Sequence, residues 1–293
     1  MSSILNRNPV GLVLRTYATK SEDVPKRVEA IRKFVEKAKG IQIDGKQVFR
    51  QIDVLVWEDA RFADADCGLT FEALKGDATV VANASVHRFN YGDLFCGVLN
   101  YAVAKQIRAG IDYTLIASTE ALSYFTVETL QEMFKAAESG AKAVGVAINE
   151  LTDSVLAGRL ANMMCLWHNV SLMSVGGFDL RAAKPVDDKS AHYVRGWSSE
   201  KQANTFYHLA GVEEVIPLAR LVEVYGSCLA PIMPTGGGVK QYQVPDPATQ
   251  CELWERHIAK MGTKAERQGA LLASIGCDLS YLKGGVMLQY RSK

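Results

Sequence analysis

The chain has 293 residues, enough for one large α/β domain or two small ones. Its formal charge of +1 excludes a broad field for nucleic acid or anionic lipid, though not a local basic patch. No apolar run reaches the roughly 18 residues of a membrane span, the nearest (94–104) being broken by Asn100.

In chain order, residues 10–15 (VGLVLR) read as a buried strand that leaves into a loop at Thr16. This apolar run meets Arg15 too early to be a signal-peptide core. Ser21 caps a helix with Glu22, Asp23 and Pro25 in its first turn; its apolar positions recur at helical spacing until Gly40 stops it. Asp44-Gly45 marks a turn, and 52–57 (IDVLVW) a second strand ending in Glu58-Asp59. A short helix near 69–74 leads to a third strand at 78–82. A long helix spans 91–109, entered by Asn90-Tyr91-Gly92 and closed at Gly110.

Residues 113–117 form the next strand, and Ser118-Thr119-Glu120 follow where the chain leaves the sheet. Thr126 caps the helix after it, and 141–148 form a fifth strand. Alternating strands and helices call for a mainly parallel sheet with helices on both faces. Beyond Asn149 the pattern loosens: 156–173 read as a mixed, helix-like segment, 184–199 as a polar loop, 199–209 as a helix and 212–224 as one or two strands. Residues 231–247, rich in Pro and Gly, read as a linker, and 251–275 as a helix that either packs back or mediates self-association. The division expected is 1–230, with halves 1–149 and 150–230, followed by a linker and helical extension over 231–293.

Six cysteines, at 67, 96, 165, 228, 251 and 277, show neither C-x-x-C pairing nor metal-ligand spacing. Free, mostly buried thiols in a reducing compartment fit this scatter, and the expected location is cytoplasmic. The dinucleotide fingerprint G-x-G-x-x-G is absent, as are G-x-x-x-x-G-K-[ST], G-x-S-x-G and H-E-x-x-H.

Taken together, the segments over about 10–225 resemble nucleotide-diphosphate-sugar glycosyltransferases of the GT-A fold, especially the family-2 type. The resemblance rests on the loop after the first strand, Glu58-Asp59 ending the second, and Asn90-Tyr91-Gly92 entering a helix with Asn100 inside it. Ser118-Thr119-Glu120 stands at the D-x-D-like metal position, and Val175-Gly176-Gly177-Phe178-Asp179 looks like the acceptor-side segment. It implies that Thr16, Tyr17, Glu58, Asp59 and Asn90 line the nucleotide. Gly176, Gly177, Phe178, Asp179 and Trp197 would face the acceptor. Two positions depart from the family's pattern: D-x-D has become S-x-E, and the acidic pair at a helix start has become Glu200-Lys201.

Sugar transfer leaves a diphosphate whose growing charge needs a divalent cation or fixed cations. Mg²⁺ or Mn²⁺ held by Glu120, with His192 as a further ligand, would supply it, since Mg²⁺ needs only one or two protein carboxylates. The metal-free alternative uses Arg195 or Lys201. Glu200 is the first candidate for the base that takes the acceptor's proton, followed by Asp188 and Asp187. Plainer readings stand beside these: Glu120 as an ordinary loop residue, Glu200 as a partner of its helix dipole, and Trp167 as core packing. The implied activity is hexosyl transfer from a nucleotide-diphosphate sugar to an unknown acceptor, with the C-terminal helices available for homo-oligomerisation. The alternatives are a catalytically inactive relative that binds a nucleotide or protein partner, and a nucleotidyltransferase.

Overall fold

The computed structural model describes residues 9–18, 21–58, 69–90, 95–146, 160–183, 212–234, 246–249, 254 and 264–290. Its strands are β1 (Val10–Ala18), β2 (Gln42–Ile43), β3 (Lys46–Gln47), β4 (Phe49–Glu58), β5 (Ser85–Asn90), β6 (Tyr113–Ser118), β7 (Ala143–Val146), β8 (Ala161–His168) and β9 (Leu229–Ile232). Seven of them form one sheet in the order β5-β4-β1-β6-β8-β7-β9, while β2 and β3 make a small hairpin across Asp44-Gly45. Every pairing in the large sheet is parallel except those of β8, which runs against both β6 and β7. The mainly parallel, helix-flanked sheet expected from the alternation is therefore present, with one reversed strand inserted.

Helices cover both faces because β1, β4 and β6 are apolar on both, as a sandwiched parallel sheet requires. On one face α1 (Val24–Gly40) buries Val28, Ile31, Phe34, Val35 and Ala38 beside Leu12, Leu14, Val54 and Leu115. The short helices α2 (Leu69–Gly76) and α3 (Ala78–Asn83) add Leu74 and Val80 to that core, and α5 (Val127–Glu138) adds Leu130, Met133 and Phe134. Between them comes α4 (Phe95–Arg108), on the opposite face. There α4 and α7 (Val215–Tyr225) pack over Val13, Leu55, Ile116 and Trp167, α7 being preceded in the chain by the six-residue α6 (Asn169–Ser174). The C-terminal helices α8 (Lys264–Ala273) and α9 (Leu279–Gly284) add Leu271, Leu272 and Leu282 to this second core. Among the described residues no helix is long and apolar enough to cross a membrane.

Five local expectations are corrected. Thr16, Tyr17 and Ala18 extend β1 instead of forming a loop, because β4 pairs with them as far as Glu58. Residues 78–83 are helical although Thr79, Val80 and Val81 favour a strand: the Asp77 carboxylate accepts from the Val80 N–H and caps the turn, so the third strand lies at 85–90. Of the helix-like stretch 156–173, residues 161–168 are instead β8, whose Met164, Cys165, Leu166 and Trp167 are enclosed between β6 and β7, while 169–173 are helical as expected and 156–159 lie outside the described residues. Residues 212–224 are a helix, not strands. Its Val215, Ile216, Pro217, Leu218, Ala219, Leu221 and Val222 are all buried, and this nearly unbroken apolar run reads as strand until Arg220 and Glu223 interrupt it. Pro231, read as the start of a linker, belongs to β9, an edge strand where a residue without N–H is tolerated.

Candidate active site

Four parallel strands, β5, β4, β1 and β6, end on the same edge of the sheet, where an open α/β fold places its ligands. Register brings the expected nucleotide positions together there: Ala18 stands beside Glu58, Glu58 beside Asn90, and Arg15 beside Ser118. Thr16 is buried, and its Oγ1 has no hydrogen-bond partner among the described residues. Tyr17, Glu58 and Asn90 are placed by their backbone only, and Asp59 lies outside the described residues. Glu200, Asp188, Asp187, His192, Arg195, Trp197 and Lys201 also lie outside them.

Glu120 sits in the 3₁₀ turn Thr119–Ser123 that leaves β6, with its side chain exposed at this edge. Desolvation pushes its pKa up, but a hydrogen bond from Ser118, another from its own backbone, and the charges of Arg15 and Arg27 outweigh that and hold it below the usual carboxylate value. The Ser118 hydroxyl is thus engaged by Glu120 itself. Arg27 lies in the first turn of α1, the helix that follows β1.

Glu120 offers one carboxylate to a divalent cation, and His192, the further ligand expected, lies outside the described residues. Among the described residues no three His, Cys, Asp or Glu side chains converge.

The Gly176-Gly177-Phe178-Asp179 segment is a turn locked from two sides. Asn100 on α4 donates through Nδ2 to the Phe178 carbonyl (2.8 Å) and accepts from the Phe178 N–H (2.7 Å). Gly177 has φ +66°, and a Cβ there would stand 2.4 Å from Asn100 Oδ1, so glycine is required twice over. Asp179 pairs with Arg220 on α7 (3.2 Å), and the Phe178 ring meets the buried Trp167 edge-on with 5.2 Å between centroids. Trp167 is therefore core, as its plainer reading has it. Two pieces of the family resemblance far apart in sequence, Asn100 and Gly177-Phe178, meet in space.

The sequence reading missed an acidic pair in the same place. Glu213 and Glu214 stand at the start of α7, both 3% exposed. Burial pushes the Glu214 carboxyl up to about 7; Lys264 pulls it down, the Glu213 charge pushes it up, and its own backbone hydrogen bond and Arg15 pull it down. Its Oε2 has no hydrogen-bond partner among the described residues. Cys96 ties the parts together: burial raises its thiol pKa, and the charges of Glu213, Asp179 and Glu214 raise it further. Arg15 in turn acts on both Glu120 and Glu214. Glu213-Glu214 open a helix that carries Arg220 and is capped by Gly226, while Glu200-Lys201, read as the family's acidic pair, lie outside the described residues. The two consecutive acids before an apolar run were the available signal.

No protein-family model matches the sequence, and no curated protein matches it. Solved structures do. Glucosyl-3-phosphoglycerate synthase of M. tuberculosis is 11% identical, with a TM-score of 0.48 over 92% of this chain and 83% of that one. The mannosyltransferase PcManGT of Pyrobaculum calidifontis, solved with GDP-Man and Mn²⁺, is 16% identical, with a TM-score of 0.42 over 94% and 77%. A cytidylyltransferase of Leptospira borgpetersenii is 10% identical, with a TM-score of 0.43 over 96% and 99%. The mostly parallel sheet seen here is of the GT-A-like kind that the sequence resemblance implies. Likenesses this distant carry nothing about the chemistry.

Proposed function

We propose that this chain transfers a sugar from a nucleotide-diphosphate sugar to a hydroxyl acceptor at the edge formed by β1, β4, β5 and β6. The observation that carries the reading is Glu214: a buried carboxylate beside Arg15, with a pKa near neutrality and an oxygen to which no described group donates. A structural ion pair would be saturated; a base has to keep a lone pair for an incoming proton. In the reaction the acceptor oxygen bonds to the sugar's anomeric carbon as the bond from that carbon to the diphosphate breaks. Glu214 receives the hydroxyl proton, and the nucleoside diphosphate leaves with the bonding pair. Arg220 and Asn100 hold the Gly177-Phe178 turn as one wall for the acceptor. Glu200 and Asp188 remain candidates for contacts from the segment between this turn and α7.

The test is donor-dependent thermal stabilisation by UDP- and GDP-sugars, together with release of the nucleoside diphosphate on adding candidate acceptors. A donor present at 100 times its Kd stabilises the fold by about 2.7 kcal/mol, readily seen in a melting curve. Stabilisation by no sugar nucleotide would remove the reading in favour of an inactive, partner-binding relative.

A further inference from the structure

We propose that His87 and Lys105 compete for one oxygen of Asp53, so that a proton taken up by His87 exchanges the ion-pair partner of Asp53 and frees α4 from its lysine tie to the sheet. This inference is independent of the donor reading above. The three groups form a triangle. Asp53 Oδ1 stands 2.8 Å from His87 Nε2 and accepts from Lys105 Nζ at 2.5 Å, and the two nitrogens are 3.0 Å apart. Gln51 (2.6 Å) and Gln106 (2.7 Å) donate to Oδ2, which leaves the exchange to Oδ1.

Asp53 is fully buried on β4, whereas the side chains of His87 on β5 and Lys105 in the last turn of α4 are 18% and 27% exposed. With His87 neutral, the triangle holds one negative and one positive charge. A proton from solvent on the imidazole sets a second cation 3.0 Å from the ammonium, against a single carboxylate and with little water to screen them. The lysine gives way, because its long stem can carry the ammonium out to water while the imidazole is held on its strand. Protonated His87 then keeps Asp53 paired, and Gln106 remains as the link from α4 to this carboxylate.

The described titratable groups against the imidazole are Asp53 of β4 and two from α4: Lys105, and Tyr101, whose ring lies edge-on at 6.0 Å. The helices α2 and α3 also pack on β5, but their Leu74 and Val80 belong to the core on the opposite face.

The experiment is urea denaturation of the full-length chain, Lys105→Met, His87→Gln and the double variant at about pH 8 and about pH 5, which bracket the usual charge change of a histidine. Imidazole NMR, with the His87 signal assigned by its loss in His87→Gln, records the protonation. Asp53 stays ionised throughout, since its pKa lies below the ordinary 3.8. At pH 8 Lys105→Met should lower the folding equilibrium constant by ~10–100-fold, as loss of a hydrogen bond to a charged group does. At pH 5 that cost should vanish, because the lysine has already left. In the His87→Gln background Lys105→Met should cost the same at both pH values.

An equal cost at both pH values with His87 present would mean that both cations stay on Asp53, and would overturn the exchange. No cost at either pH would overturn Lys105 as a tie. A cost that vanishes at pH 5 even in His87→Gln, or an imidazole still neutral at pH 5 in the folded chain, would overturn His87 as the trigger.

Discussion

Asp53 and Glu214 are both buried carboxylates, and the fold treats them in opposite ways. Asp53, in the body of β4 and 0% exposed, is saturated. Its Oδ1 meets His87 Nε2 (2.8 Å) and accepts from Lys105 Nζ (2.5 Å), while Oδ2 accepts from Gln51 (2.6 Å) and Gln106 (2.7 Å). Burial pushes its pKa up, but these donors outweigh burial and leave it below the ordinary 3.8. Glu214, near the open edge of the sheet, goes the other way, up to about 7, and keeps an oxygen to which no described group donates. The first carboxylate joins β4, β5 and α4; the second is the base proposed above. A buried charge is thus informative through its saturation, not through its burial.

Glu214→Gln breaks the comparison at its functional end and carries the largest expected effect. Transfer should fall by ~10²–10⁴-fold, while donor binding persists. Stability should move the other way. A carboxylate whose folded pKa is raised from 4.5 to about 7 takes up a proton on folding between those values, so its ionised form weighs against the fold above pH 7 by roughly 3 kcal/mol. Urea denaturation of the variant should show a gain at pH 8 that vanishes as pH falls toward 4.5. A loss of stability at pH 8 would place Glu214 in the same class as Asp53.

Asp53→Asn breaks the structural end. Removing one partner from a buried, hydrogen-bonded ion pair costs about 3–5 kcal/mol, to be read as a lower urea midpoint at neutral pH. Its pH dependence has the opposite sign to that of Glu214: a depressed carboxylate contributes above its ordinary 3.8, and the contribution disappears as pH falls through its lower folded value. Catalysis per folded molecule should survive.

This contrast also marks what could be read before folding. β1, β4 and β6 announce themselves as short apolar runs, and α5 through the Thr126 cap that accepts from the Thr129 N–H. The Gly-Gly-Phe-Asp turn was legible because its glycines answer to local backbone geometry. α7 was not legible, because its first five residues are an unbroken apolar run, and with it the acidic pair at its start was hidden. Asp77 overrode the strand preference of Thr79-Val80-Val81 with one hydrogen bond. The Asp53 network could not have been found at all. Its partners on other elements lie 34 to 53 residues away, and Gln106 reaches Asp53 by passing over Gly11, where a Cβ would stand 1.6 Å from its Oε1. Arg15 and Glu214 likewise come together only through strand register and helix packing.

Gly177→Ala tests the wall between the two regions. The positive φ disfavours a Cβ, and relieving the 2.4 Å approach to Asn100 means giving up both of its hydrogen bonds to Phe178. Together these should cost about 2–4 kcal/mol. If the turn positions an acceptor, KM for the acceptor should rise while donor binding stays unchanged.

The smallest expected effect sharpens the comparison most, because it concerns what tunes the base and not the base itself. Lys264, the first residue of α8, is the strongest influence opposing burial at Glu214. Lys264→Met leaves burial and the Glu213 charge less opposed, so the Glu214 pKa must rise. A base works only when deprotonated, so the acidic limb of the pH–rate profile should move up by on the order of one unit. The rate at neutral pH should fall, the rate on the alkaline plateau should not, and Lys264→Arg should restore the wild-type limb. A merely structural role for α8 would lower the plateau at every pH and leave the limb where it was. A shifted limb with an intact plateau makes the C-terminal helix a working part of the site, acting through charge on a carboxylate that the sheet domain itself supplies.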